Sequence, residues 1–110
     1  MDNKDFIELT TQIYEKVFSA FEGVDPDEAE ADMHLDHVVI EFSDGTKFIV
    51  NRQPPVHQLW LATKTRGFHF NYDEEKQAWI SDKEGHEEFF DVLEKHVSKH
   101  LGRTFSFSKK

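Results

Sequence analysis

Nine carboxylates (Glu22, Asp25, Asp27, Glu28, Glu30, Asp32, Asp36, Glu41 and Asp44) fall between Lys16 and Lys47, an interval with no Lys or Arg. Outside it the remaining acids are matched one for one by bases, so the formal net charge of −9 resides in this stretch. Glu8, Glu15 and Glu22 stand one heptad apart and extend it along one line. Two carboxylates about 6 Å apart in water repel by about 0.7 kcal/mol, and a bound cation relieves that strain. Oxygen ligands suit hard cations such as Fe²⁺, Fe³⁺, Ca²⁺ or Mn²⁺. The segment offers no rigid loop or buried cage, so several weak, exchangeable sites are expected. The ordinary reading of acid-rich sequence is a solvated surface. Against it stand the missing bases and the position of the segment between a helix end and a strand.

Histidine offers a second metal chemistry. His96 and His100 are spaced i, i+4, as in helical zinc pairs, but no His-Glu-x-x-His pattern accompanies them. Packing beside a core is the expected role, and His34 and His57 are better placed to assist a surface site. A third constellation is aromatic and amide. Strand alternation sends Leu59 and Leu61 inward and Trp60 outward with Gln58, while Asn51 and Gln53 lie just upstream. A large aromatic among amides on an open sheet face resembles an interface hot spot, with Arg52 as an ionic anchor. Covalent catalysis finds no support. The chain has no cysteine, no Gly-rich phosphate loop and no serine elbow. An excess of acid argues against nucleic acid, which needs Lys and Arg to displace counterions.

These residues need elements to hold them. Asp2 or Asn3 caps a first helix whose stripe is Phe6, Leu9, Ile13, Val17, Ala20 and Phe21, ended by Gly23 and Asp25-Pro26. From Glu30 the period becomes two, with Ala31, Met33 and Leu35 inward and Glu30, Asp32, His34 and Asp36 outward. Val38, Ile40 and Phe42 form the next strand. A three-residue loop at Ser43-Asp44-Gly45 pairs Glu41 with Lys47, Ile40 with Phe48 and Val38 with Val50. Pro54-Pro55 breaks the ladder, and strands follow at His57 to Thr63, Phe68 to Tyr72 and Ala78 to Ile80. A last helix runs from about His86 to Gly102, with Phe89, Phe90, Leu93, Val97 and Leu101 inward, and Thr104 to Phe107 lie against the body. The expected fold is α+β over residues 1–110 as a single domain: a two-layer sandwich, with two terminal helices on one face of an antiparallel sheet of five to six strands. No apolar run approaches the roughly 18 residues of a membrane span, and no targeting signal is apparent, so a cytoplasmic protein is expected.

The run Asn51-Arg52-Gln53-Pro54-Pro55-Val56-His57-Gln58-Leu59-Trp60-Leu61-Ala62 closely resembles the signature of the frataxin family. The likeness extends through the acid-rich first helix and strand, the Asp44-Gly45 hairpin, Phe68 to Tyr72, Trp79 and the closing helix. It implies a monomeric iron-binding protein of iron–sulfur cluster assembly that regulates, and supplies iron to, the cysteine desulfurase and its scaffold protein. By the same likeness the metal ridge is Glu15, Glu22, Asp25, Asp27, Glu28, Glu30 and Asp32, joined by Asp2, Asp5 and His34. The partner contacts are Asn51, Gln53, Gln58 and Trp60. Pro26 and Ala29 interrupt the ridge. Two alternatives stand beside this reading. One is a pure interaction module whose metal binding is incidental. The other is a ferroxidase or iron store with metal-dependent oligomers, which lacks the Glu-x-x-His helix pairs of di-iron bundles.

Overall fold

The computed structural model describes residues 1–107. Helix α1 (Asn3–Phe21) begins where the Asp2 carboxylate accepts the Asp5 N–H at 2.8 Å. Its buried side is Phe6, Thr10, Ile13, Tyr14, Val17 and Phe21. Thr10 and Tyr14 escape a purely apolar pattern, yet both are buried because their hydroxyls are satisfied. Thr10 donates to the Phe6 carbonyl at 2.8 Å, and Tyr14 donates to the Asp36 carbonyl at 2.6 Å.

Six strands follow: β1 (Ala29–Met33), β2 (His37–Phe42), β3 (Lys47–Gln53), β4 (Gln58–Ala62), β5 (Gly67–Asp73) and β6 (Ala78–Ser81). They pair antiparallel in chain order, so β1 and β6 are the edges. Helix α2 (Phe89–Leu101) closes the fold. One face of every strand joins the two helices in a single core that includes Val38, Ile40, Val50, Leu59, Leu61, Phe70 and Leu93, all fully buried or nearly so. Helix α1 packs against β1 and β2, and α2 against β6. The opposite face is left uncovered by helix.

The β2–β3 register has the expected pairs, with Glu41 opposite Lys47, Ile40 opposite Phe48 and Val38 opposite Val50. Gly45 takes the left-handed conformation (φ 88°) that this loop requires. Three boundaries differ from expectation. The first strand ends at Met33, because the His34 N–H bonds the His37 carbonyl at 2.8 Å and turns the chain. Met33 and Leu35 are therefore exposed, at 44% and 90%, instead of inward. The strand expected from His57 begins at Gln58, since His57 is left-handed (φ 52°) at the end of a 3-10 turn, Pro54–Val56. The last helix starts three residues later than about His86: Gly85 and His86 are both left-handed, and Glu88 bridges to Ile80 and caps α2.

The end of α2 is tied to the β2–β3 loop. His100 Nε2 lies 3.0 Å from Asp44 Oδ2 and its ring packs on Phe42. The Thr46 N–H, with His100, holds the Asp44 carboxyl down from its ordinary 3.8 to about 2. A carboxyl whose folded pKa is depressed stabilises the fold above its unfolded pKa and ceases to do so as pH falls through the folded value. Urea unfolding from pH 6 to pH 2 is thus expected to show a loss of stability between about pH 4 and about pH 2. An Asp44→Asn chain should be less stable at pH 6 and lack that part of the acid limb. An unchanged acid limb in the variant contradicts the assignment.

Candidate functional site

The acidic side chains sit on three adjoining pieces of chain. Glu15 and Glu22 project from α1, Asp25 and Asp27 lie in the connection, and Glu30 and Asp32 stand on the edge strand β1; all six are exposed. Local chemistry fixes the connection. Asp25 accepts the Asp27 N–H on its carboxylate at 2.9 Å, and its carbonyl accepts the N–H groups of Glu28 and Ala29. Ala29 and Ala31 turn into the core while Glu30 and Asp32 turn outward, so Ala29 interrupts the ridge for the sake of the period-two strand. Glu22 and Glu30 line the same open groove, of about 210 Å³, with Phe18, Phe21, Val24 and Pro26. The helical and strand carboxylates thus meet across one cleft.

Glu41 is an addition to this surface. It stands directly opposite Glu30 across β1 and β2, with Lys47 on its other side, and like charges in that relation are destabilising. The signal was present in the sequence, but the register of β1 on β2 was needed to use it. Glu28 takes a different part. The Arg103 guanidinium grips it through two bonds, Nη2 to Oε1 at 2.7 Å and Nε to Oε2 at 3.2 Å. Hydrogen bonding to Arg103 holds the Glu28 carboxyl below the usual carboxylate range. Among the described residues, this is the one ion pair of the ridge with Lys or Arg; Glu15, Glu22, Asp25, Asp27, Glu30 and Asp32 have none. Of the remaining sequence candidates, Asp2 caps α1 and Asp5 lies in its first turn. His34 stacks on His37 with centroids 4.6 Å apart. Among the described residues, no three His, Asp or Glu side chains converge on one metal position. The arrangement is an open rail of oxygens.

The amide and aromatic residues come together on the uncovered face. Asn51 pairs with Trp60 and Gln53 with Gln58 across β3 and β4. Trp60 stacks on His69 (centroids 4.2 Å, planes 18° apart) and donates its indole N–H to Gln58 Oε1 at 2.9 Å. Gln58 in turn donates to Asn71 Oδ1 at 3.2 Å. Asn51 Oδ1 is buried without a hydrogen-bond partner among the described residues, and such an atom is costly until a donor reaches it.

Arg52 does not join that face, which corrects its expected part as an ionic anchor. Strand alternation turns it inward, over the Tyr14 ring at 4.9 Å. Nη1 donates to Thr10 Oγ1 (3.1 Å), Thr11 Oγ1 (2.9 Å) and the Ile7 carbonyl (3.4 Å), and Nη2 donates to the Leu35 carbonyl at 2.8 Å. It fastens α1, β3 and the β1–β2 turn to one another. His96 and His100 pack on Phe68 and on Phe42 respectively, the packing role expected of them. Burial, aided by Lys95, Arg66 and Lys99, lowers the His96 pKa.

Comparison with known proteins agrees across the chain. The family model described as a frataxin-like domain matches residues 1–103. A curated relative from Psychromonas ingrahamii, named iron-sulfur cluster assembly protein CyaY, is 36% identical over 113 residues, covering 99% of this chain and 100% of the relative. A solved structure of frataxin from the same organism, described as a model for stability modulation within the CyaY protein family, superposes with a TM-score of 0.87. It is 33% identical, with 99% of this chain and 100% of that one covered.

Proposed function

This chain belongs to the frataxin family, and from that premise we propose that it acts in iron–sulfur cluster assembly as an iron-binding regulator of the cysteine desulfurase. Donation of iron to the desulfurase and its scaffold protein is part of the same reading, as is a cytoplasmic monomer. The observation that carries it is the rail of exposed carboxylates from the end of α1 through β1, which among the described residues pairs with one Lys or Arg, Arg103 on Glu28. Iron is cargo here. Glu15, Glu22, Asp25, Asp27, Glu30 and Asp32 supply hard oxygen ligands, and Glu28 joins them once Arg103 lets go. His34, just past the end of β1, is the nitrogen ligand that this reading adds to them. Because no side chains among the described residues form a cage, binding is weak, exchangeable and open to other hard cations. That suits a carrier that must release what it holds.

One observation favours a second role for the same surface. The Glu28–Arg103 grip places a guanidinium on the rail within the chain itself, and an Arg-rich surface of the desulfurase fits the other carboxylates in the same manner. Iron and partner then compete for the rail. On the uncovered face, Asn51, Gln53, Gln58 and Trp60 form the second contact. Its centre is the Trp60 ring, already ordered by His69 and Gln58.

The experiment is a binding titration of the desulfurase, alone and with its scaffold, by the parent chain and by Trp60→Ala. Loss of a buried aromatic hot spot is expected to weaken binding about 30-fold or more. Trp60 is only half-buried on the uncovered face, so the melting temperature should move by less than about 4 °C. Equal affinity for both chains removes this face from the proposal. Failure of the parent chain to bind removes the proposal.

A further inference from the structure

We infer that Leu35, at the tip of the β1–β2 turn, is an apolar anchor for a partner protein that offers an apolar socket rimmed by Lys or Arg. A single exposed leucine is ordinary on a protein surface, and exposure of 90% alone would carry nothing. The turn beneath it is what differs. Its backbone is pinned from the protein side by two long polar side chains, Arg52 Nη2 on the Leu35 carbonyl at 2.8 Å and the Tyr14 hydroxyl on the Asp36 carbonyl at 2.6 Å. The His34 N–H closes it on the His37 carbonyl. Two side chains of the core layer are thus spent on holding a turn whose apolar residue is 90% exposed. An anchor ordered in advance loses little conformational freedom on docking.

The surroundings define the partner. Met33, 44% exposed, adds apolar surface two residues away, and the stacked rings of His34 and His37 flank the tip. Asp32 and Asp36 are exposed on either side, Asp36 with 81% of its side chain in solvent. An apolar knob between carboxylates is complementary to a socket ringed by cations. A second copy meeting this turn through its own symmetric turn does not fit, because that would bring Asp32 and Asp36 against their own kind. The turn is also continuous with the amide and aromatic face. His37 lies opposite Asn51, and Asn51 opposite Trp60, in one cross-strand row. One partner surface can therefore span the rail, the knob and Trp60. The inference rests on the partner-binding role proposed above and names its apolar anchor.

The test uses the full chain with the cysteine desulfurase as probe, measuring dissociation constants for the parent, Leu35→Ser, Leu35→Met and Trp60→Ala. Leu35→Ser is expected to weaken binding about tenfold or more with an unchanged melting temperature, and Leu35→Met to restore most of the affinity. If Leu35→Ser binds within about twofold of the parent while Trp60→Ala is impaired, the anchor is wrong and the proposed function stands. If the parent does not bind, both fall.

Discussion

Replacing Arg52 by Ala is expected to lower the melting temperature by about 10–20 °C, from a loss of about 2–4 kcal/mol. The expectation follows from what the guanidinium does. It donates to four oxygens on two separate elements, and its charge strengthens each bond. Hydrogen bonds from charged groups contribute about 1.5–3 kcal/mol each, and truncation leaves acceptors unpaired at further cost. Thr10 is fully buried, so water cannot readily replace the lost donor there. Thr11 and Leu35 are partly or fully solvated, and for that reason the four bonds do not sum. Arg52→Lys should recover less than half of the loss, because an ammonium cannot reach α1 and the Leu35 carbonyl together. Thermal unfolding followed by circular dichroism reads both numbers. A fall of less than about 3 °C for Arg52→Ala would show that the clip is incidental.

The place of Arg52 also marks where sequence reasoning stopped. Alternation along β3 puts Phe48, Val50 and Arg52 on one face, so the inward turn of Arg52 was available from the pattern. A charge between amides in a run that resembles a family signature nevertheless reads as a surface group. Its partners, Thr10 and Thr11, lie on α1 some forty residues earlier, and only the fold brings them together. Glu28 and Arg103 repeat the lesson at a separation of 75 residues: the rail is free of bases in its own stretch, yet one arrives from beyond α2. Leu35 and Met33 depart from the expected inward face for a local reason, since the alternation that buries Ala29 and Ala31 stops where the turn begins, leaving both exposed.

Much else was legible because it depends on near neighbours. The β2–β3 register follows from a three-residue loop with Gly at its left-handed position. The outward Trp60 follows from alternation with Leu59 and Leu61, which are both buried. The two helical stripes and six strands require the two-layer sandwich, because amphipathic elements of these lengths have one face each to bury. Helix starts were less legible where left-handed residues intervene, as at Gly85 and His86.

The largest expected effect concerns the rail. Replacing Glu22, Asp25, Asp27, Glu30 and Asp32 by Gln or Asn should weaken cation binding at least about tenfold, since the loss of five charges removes the long-range attraction as well as the ligands. It should also raise the melting temperature of the metal-free chain by a few degrees, because the side chains repel one another and Glu30 opposes Glu41 directly. Asn at Asp25 keeps an oxygen for the Asp27 N–H, so the connection retains its acceptor. Millimolar Ca²⁺ should stabilise the parent by mass action and leave the variant unchanged.

Anaerobic titration of the chain with Fe²⁺, followed by the backbone amide signals in nuclear magnetic resonance, tests the rail most directly. Selective broadening along Glu15, Glu22, Asp25 to Glu28 and Glu30 to His34, absent from the neutralised variant, is the predicted result. Broadening centred on His96 and His100, or spread evenly over acids elsewhere such as Glu74, Glu84 and Glu87, would place the cations off the rail and contradict the account.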